Sequence, residues 1–274
     1  DLRELNCYRE GDTNPSGQVP EVMSLPEMFK QMRPYYEEAK KRVKARSTAE
    51  VKRGVGVALG VYGSGLDGPD TSEAWAELNE DGTVTVGNSW EDHGQGADSG
   101  TLGTAHEALR PQIHLVMNDT SKTPNSGPAG GSRSQVVTGN ATRVACEMLL
   151  EGMRKPDGGF FTYAEMKAEG RPVHYDGKWT APAKDCDAKG QGEPFACYMY
   201  GLFLAEVAVE VATGKTTVEK LVCVADIGKL CNKLIVDGQI YGGLAQGVGL
   251  ALSEDYEDIK KHSTLAGAGV PTIK

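Results

Sequence analysis

Residues 74–97, AWAELNEDGTVTVGNSWEDHGQGA, decide the fold of the first half of this chain. Residues 74–78 and 83–86 alternate apolar and polar side chains, which is typical of paired strands. Asn79-Glu80-Asp81-Gly82 between them ends in Asp-Gly, a strong signal for a tight hairpin turn. A glycine-rich loop, His93-Gly94-Gln95-Gly96, then leads into a helix. The stretch therefore predicts a hairpin, a glycine loop and a helix, in that order.

The same order returns about 140 residues later. Residues 204–211 and 218–225 predict a second hairpin, and residues 241–252 predict a glycine-rich helix. Each glycine costs such a helix about 1 kcal/mol relative to alanine, so tight packing or a docked ligand must hold it. The repeat predicts an α+β fold of two similar lobes, each built of antiparallel hairpins with helices packed on one side.

We expect three segments along the chain. Residues 1–47 form a connecting segment and an amphipathic helix, residues 48–158 a first α+β lobe, and residues 159–274 a second lobe that is truncated at its C-terminal end. Ser24-x-x-Glu27 and Thr162-x-x-Glu165 predict capping boxes at two helix starts. Pro34 predicts a kink or a break in the first helix, and Asp176-Gly177 predicts a small hairpin over residues 173–179.

Composition excludes several classes of protein. The net charge of −9 argues against a nucleic-acid or anionic-membrane surface, and no apolar run approaches the roughly 18 residues of a membrane helix. The six cysteines lack CxxC spacing, which favours reduced thiols in a cytoplasmic protein. Glycine is in excess, because 35 of the 274 residues, about 13%, are glycine, whereas the average in proteins is about 7%. Clustered glycine indicates backbone that adopts positive φ or approaches another group closely.

One glycine cluster has the form of an anion site. Residues 127–134, GPAGGSRS, stand at the start of a helix, where consecutive backbone N–H groups bind anions without any positive side chain. The cluster lacks the lysine of a phosphate-binding P-loop and the G-x-G-x-x-G of a dinucleotide fold. An anion site and a simple tight loop both remain open for this segment. The pattern of residues 93–96 likewise fits either a ligand contact or a solvated turn. No serine-hydrolase elbow or clustered zinc ligands occur in the sequence.

Four motifs in one order carry a family resemblance. They are His93-Gly94-Gln95-Gly96; residues 123–133, TPNSGPAGGSR; Asp226-Ile227-Gly228 with Asn232; and Asp237-Gly238-Gln239 followed by residues 244–249, LAQGVG. The series resembles the molybdenum-cofactor-binding domain of the xanthine oxidase/aldehyde oxidoreductase (molybdenum hydroxylase) family over residues 48–255. It is most similar to the bacterial aldehyde oxidoreductases. The two lobes would then be part of a larger molybdopterin-binding domain.

The resemblance implies molybdopterin, as the cytosine dinucleotide. It also implies the oxidation of aldehydes to carboxylic acids with water as the oxygen source, the electrons leaving through iron–sulfur clusters. Residues 93–97 would lie beside the molybdenum ligands, residues 130–135 would bind phosphates through backbone N–H and hydroxyl donors, and Tyr62 would line the substrate channel. No side chain would bind the metal directly, because the pterin holds it. The implied cofactor-binding residues are His93, Gly94, Gln95, Gly96, Ala97, Gly130, Gly131, Ser132, Arg133, Ser134, Gln135, Gln239 and Gln246.

No catalytic residue is expected within the chain. The general-base glutamate of the family lies in a Gly-x-Gly-Glu motif that would follow Lys274, and Glu193 stands too early in the chain to be that base. We therefore expect a piece of a longer cytoplasmic enzyme, a homodimer that contacts an iron–sulfur domain or subunit and binds a small aldehyde. Two alternatives stay open: a non-catalytic scaffold or assembly subunit with the same fold, and a nucleotide-binding transferase.

Overall fold

A computed structural model describes residues 2–254 of the chain. In that part the elements follow one another as α1 (Leu2–Leu5), α2 (Leu25–Arg46), β1 (Val51–Ser64), β2 (Thr71–Leu78), β3 (Val84–Asn88), α3 (Ala97–Ala108), β4 (Ile113–Met117), a π-helical turn (Ser134–Thr138), α4 (Gly139–Met153), α5 (Tyr163–Ala168), β5 (His174–Thr180), β6 (Cys197–Glu210), β7 (Thr216–Asp226) and α6 (Lys233–Leu252).

The first sheet has three antiparallel strands in the order β1-β6-β7. β1 and β6 pair along their whole length, from Val51 opposite Glu210 to Ser64 opposite Cys197. α2 packs on one face of this sheet, and burial of its apolar stripe stabilises the unit by about 1.5–3 kcal/mol for each large side chain. The buried residues of this core include Leu25, Met28, Phe29, Met32 and Ala39 of α2 with Tyr200, Leu202 and Leu204 of β6.

The second sheet has four strands in the order β4-β3-β2-β5. β3 and β4 are parallel, and the other two pairings are antiparallel. The core forms where one face of β2 and β3 meets α3, α4 and α5. Its buried residues include Ala76 and Leu78 of β2, Val84 and Val86 of β3, Ala105 of α3, Ala145 and Leu149 of α4, and Met166 of α5.

The two sheets confirm the α+β class, and each sheet takes strands from both sides of residue 158. β1 comes from the predicted first lobe and pairs with β6, whereas β5 comes from the predicted second lobe and pairs with β2. Two physical requirements favour the pairing of β1 with β6 and of β5 with β2. The register of β1 keeps its apolar residues toward α2, since a slip of one residue would turn them away. β5 covers an edge of β2 that would otherwise be unpaired. The boundaries at residues 47 and 158 stay a prediction.

The hairpin predicted at Asp176-Gly177 is wrong. β5 is one continuous strand, and Gly177 lies in its interior. A Cβ atom on Gly177 would lie 2.3 Å from Ala141 O and 2.5 Å from Ala145 N, both in α4. Glycine therefore serves the close approach of a strand to a helix backbone here, and the chain does not turn.

Only one of the two predicted capping boxes forms. The Thr162 hydroxyl accepts from Glu165 N at 3.3 Å, and Glu165 Oε2 accepts from Thr162 N at 2.7 Å. Ser24 makes no such bond, and its hydroxyl lies 3.5 Å from Met28 Sδ. α2 nevertheless runs through Pro34 without a break, because buried apolar side chains on both sides of the proline hold it to the sheet.

Candidate functional site

A single carboxylate holds the loop between β3 and α3. Asp92 Oδ1 accepts hydrogen bonds from the backbone N–H groups of Gly94, at 2.7 Å, and of Gly96, at 3.3 Å. These bonds lower the pKa of the Asp92 carboxyl, because they stabilise its charged form. Gly94 and Gly96 have φ angles of 100° and 88°, which glycine adopts without a steric penalty. The loop thus keeps an ionised carboxylate at the N-terminus of α3, where the helix dipole also favours it.

The side-chain amide of Gln95 is oriented by its own loop. Its Nε2 donates to Glu91 O at 2.7 Å, and its Oε1 accepts from His93 N–H. An amide has two N–H donors and an oxygen with two lone pairs, so one donor and one acceptor position remain for a ligand. The predicted contact of Gln95 with a ligand is compatible with this orientation. The side chain of His93 is exposed.

The second loop, residues 127–135, presents unused backbone donors. Gly131 has a φ of 55° and Ser132 a φ of 64°, and such left-handed residues in a turn shape a concave anion site. Over the described range 2–254, five N–H groups of this loop donate no hydrogen bond: those of Gly130, Gly131, Ser132, Ser134 and Gln135. A Cβ atom on Gly130 would meet no atom within 4 Å, so the space beside the loop is open.

Arg133 supports this loop from the protein side. The side chain is 2% exposed, and its backbone N–H donates to Gly130 O at 2.8 Å. Nη1 and Nη2 donate to Ser126 O at 2.6 Å, Pro128 O at 3.2 Å, Asp70 Oδ1 at 2.9 Å and Thr71 O at 2.9 Å. These bonds use all four N–H groups of the two nitrogens. The predicted cofactor contact of Arg133 is therefore revised, because its donors are directed into the protein and hold the loop.

Three segments meet at this place. Glu91 Oε2 accepts from Ala129 N at 2.7 Å, which joins the two loops. Gly65 N, just beyond β1, donates to Gly131 O at 2.8 Å. A Cβ atom on Gly131 would lie 3.1 Å from the hydroxyl of Tyr62, whose side chain is half exposed. The structure thus brings the predicted channel residue and both predicted loops together.

The first turn of α6 contacts the first loop. A Cβ atom on Gly96 would lie 2.7 Å from Ile235 Cγ2, so the first turn of α6 packs on that glycine. Gln239 and Gln246 are both exposed and lie about 6 and 16 Å further along the helix axis. The structure therefore places Gln239 one turn from the loop and does not bring Gln246 to it.

Three supporting residues were not predicted from the sequence: Asp70, Glu91 and Asp92. Asp92 had a detectable signal, since an aspartate just before two glycines and a helix start is a common cap for backbone N–H groups. Asp70 and Glu91 had none, because their partners lie 63 and 38 residues away. In the part of the chain that the structure describes, no group of three or more His, Cys, Asp or Glu side chains could hold a metal ion. Within the same residues, no helix is long and apolar enough to cross a membrane.

The fold and the site define a class of protein: an α+β domain with a run of unused backbone donors in a glycine-rich loop at a helix start. The family model described as a molybdopterin cofactor-binding domain matches residues 30–274, and the chain belongs to this family. The expected resemblance is thereby confirmed.

The relatives agree with this assignment. The chain is 62% identical to an aldehyde oxidoreductase of Megalodesulfovibrio gigas, over 100% of this chain and 31% of the relative. The solved aldehyde oxidoreductase of Desulfovibrio desulfuricans is 86% identical and superposes with a TM-score of 0.96, over 98% of this chain and 30% of that one. A Cu,Mo-CO dehydrogenase with 17% identity and a TM-score of 0.78 shares the fold. The chain thus spans about a third of the length of the aldehyde oxidoreductases that it matches.

Proposed function

We propose that this chain is part of a molybdenum hydroxylase that oxidises aldehydes to carboxylic acids, with water as the oxygen source. The observation that supports this most strongly is the 62% identity to an aldehyde oxidoreductase along the whole chain. When bound, molybdopterin supplies the two-electron redox centre for that reaction. We propose no general base among residues 2–254, and we assign to this chain the binding and orientation of the cofactor.

The residues of the second loop fit a phosphate-bearing group. Five unused N–H groups lie within the six residues 130–135, and backbone donors at a helix start bind phosphate without a positive side chain. This explains how a chain of net charge −9 could hold a pyrophosphate. The space beside Gly130 and Gly94 is open, since a Cβ atom on either would meet no atom within 4 Å. We propose the cytosine dinucleotide form of molybdopterin for this site.

The other residues take positions around that cradle. Gln95, with one amide donor and one acceptor position left, would face the ligands of the metal. Tyr62, half exposed beside Gly131, would form the wall of the substrate channel. Gln239 and Gln246, at two positions along α6, would bind the pterin or the metal ligands.

Further parts of the protein are also proposed. The apolar side chains of Leu234, Tyr241 and Leu250 on α6 are 80%, 67% and 72% exposed, which supports packing against another domain or subunit. We propose that the complete protein includes an iron–sulfur domain or subunit that removes the electrons, and that it is a homodimer. Exposed thiols at Cys186, Cys197 and Cys231 favour a reducing, cytoplasmic location.

The test uses the full-length protein, purified from a host that makes molybdopterin. We expect bound molybdenum and pterin and the oxidation of aldehydes. A protein that contains neither and instead binds free nucleotides would contradict the proposal.

A matched pair of variants at Gly130 tests the cradle itself. Gly130→Pro removes one unused N–H group, while Gly130→Ala keeps it in open space. Because a hydrogen bond to a charged group contributes about 1.5–3 kcal/mol, Gly130→Pro should weaken cofactor retention about tenfold or more, with Gly130→Ala close to wild type. Equal retention in the two variants would contradict the assignment of this loop.

A further inference from the structure

We infer that Glu91 is a positioning residue that couples the two cofactor loops. This inference rests on the proposed function of those loops. Glu91 precedes the first loop and is half-buried, and it makes one bond to each loop. Its carboxylate Oε2 accepts from Ala129 N at 2.7 Å, and its backbone carbonyl accepts from Gln95 Nε2 at 2.7 Å.

The first bond fixes the second loop. Ala129 directly precedes the run of unused donors that begins at Gly130. The N–H of Ala129 is bonded to Glu91 and is therefore not one of the unused donors. The position of Ala129 sets where the next N–H groups lie. A carboxylate is the stronger acceptor for this purpose, because a charge-assisted hydrogen bond is about twice as strong as a neutral one.

The second bond fixes the side chain that faces the ligand. Gln95 Nε2 donates to the carbonyl of Glu91 while its Oε1 accepts from His93 N–H, so the amide has one orientation. Displacement of the Glu91 backbone would move this amide. One residue thus relates the orientation of Gln95 to the place of the donors in residues 130–135.

The two bonds of Glu91 act together with the buried side chain of Arg133. Arg133 binds the second loop through Ser126 O and Pro128 O, on residues that immediately flank Ala129 or lie close to it. Arg133 joins the second loop to Asp70 and to Thr71 at the start of β2, whereas Glu91 joins it to the first loop. Glu91 bonds both to the first loop, through its carbonyl and Gln95, and to the second, through its carboxylate and Ala129 N, which makes it the residue to vary.

The experiment compares Glu91→Ala and Glu91→Gln with wild type in the full-length protein. Glu147→Ala is the control, since Glu147 pairs with Arg143 on the exposed face of α4. One readout is the dissociation rate of bound molybdopterin, followed by pterin release. The other is the hydrogen-exchange rate of peptides containing the Ala129 amide, measured on protein freed of cofactor.

Glu91→Ala should raise both rates about tenfold, which corresponds to the loss of roughly 1.4 kcal/mol. Glu91→Gln keeps a neutral acceptor and should raise them only two- to threefold, so the conservative variant restores most of the effect. Glu147→Ala should change neither rate.

Three outcomes decide between the claims. Unchanged exchange at Ala129 and unchanged cofactor release in Glu91→Ala would overturn the inference. Faster exchange with unchanged cofactor release would also overturn it, because the contact would then be structural only. A wild-type protein that never binds molybdopterin would refute the proposed function instead, and that failure appears before any variant is made.

Discussion

Replacement of Arg133 by methionine tests how the second loop is held in place. Methionine matches much of the volume of the arginine side chain and removes its charge and its donors. The change would leave Asp70, whose side chain is 13% exposed, without its cation, and would strip a donor from the carbonyls of Thr71, Ser126 and Pro128. Removal of one partner from a buried ion pair costs about 3–5 kcal/mol. We therefore expect the local free energy of opening of this loop to fall by at least about 3 kcal/mol.

Hydrogen exchange on the full-length protein measures that free energy. The hydrogen-bonded amides of Gly127, Ala129 and Arg133 should exchange about 100-fold faster or more in Arg133→Met than in wild type. The control is Arg143→Met, which removes an exposed arginine that pairs with Glu147 and should cost less than about 1 kcal/mol. A second variant, Asp70→Asn with Arg133→Met, should lose less than the two single changes added together, because neither charge is then left alone. An exchange rate within threefold of wild type in Arg133→Met would refute this reasoning.

Two further predictions concern the first loop. Gly96→Ala places a Cβ atom against the first turn of α6 at a φ of 88°, so protease cleavage within α6 should accelerate several-fold. The control is Gly214→Ala, at a φ of 72° with no atom within 4 Å, which should leave the cleavage rate unchanged. Similar cleavage in both variants would argue against the contact. The pKa of Asp92 is lowered by the Gly94 and Gly96 N–H groups, so its contribution is complete above the ordinary aspartate value of about 3.9 and is lost as the pH falls through the lowered pKa. Exchange of the Gly94 amide, corrected for its intrinsic pH dependence, should accelerate below about pH 4, and Asp92→Asn should abolish that dependence; a variant that keeps it would contradict the assignment.

Local sequence predicted the elements well wherever a short stretch determines its own conformation. Asp81-Gly82 forms the turn between β2 and β3, with Gly82 at a φ of 82°. Asp176-Gly177 has the same two letters and lies in a strand, because its environment is the backbone of α4. The Thr162 capping box forms, and the one at Ser24 does not. The identical local pattern thus gave different structures when contacts from distant residues differed.

The candidate site shows the same limit. The glycines of residues 94–96 and 130–131 were identifiable from their clustering, and Gly94, Gly96 and Gly131 adopt the positive φ that such clusters indicate. The bonds that shape these loops were not, because Arg133 and Asp70 or Glu91 and Ala129 meet only after the sheets have formed. The resemblance also placed Arg133 among the residues that bind phosphates through backbone N–H and hydroxyl donors, but its backbone N–H donates to Gly130 O. In the structure the side chain is 2% exposed, and the N–H groups of both Nη atoms donate to acceptors within the protein.

The central claim is that backbone N–H groups of residues 130–135 bind the anionic part of the cofactor. The most direct measurement compares hydrogen exchange of peptides covering these residues in the full-length protein with and without bound molybdopterin. Because five of these groups are unbonded among the described residues, we predict at least about tenfold slower exchange on loading, from hydrogen bonds gained with a charged ligand. Equal exchange rates in the two forms would contradict the claim.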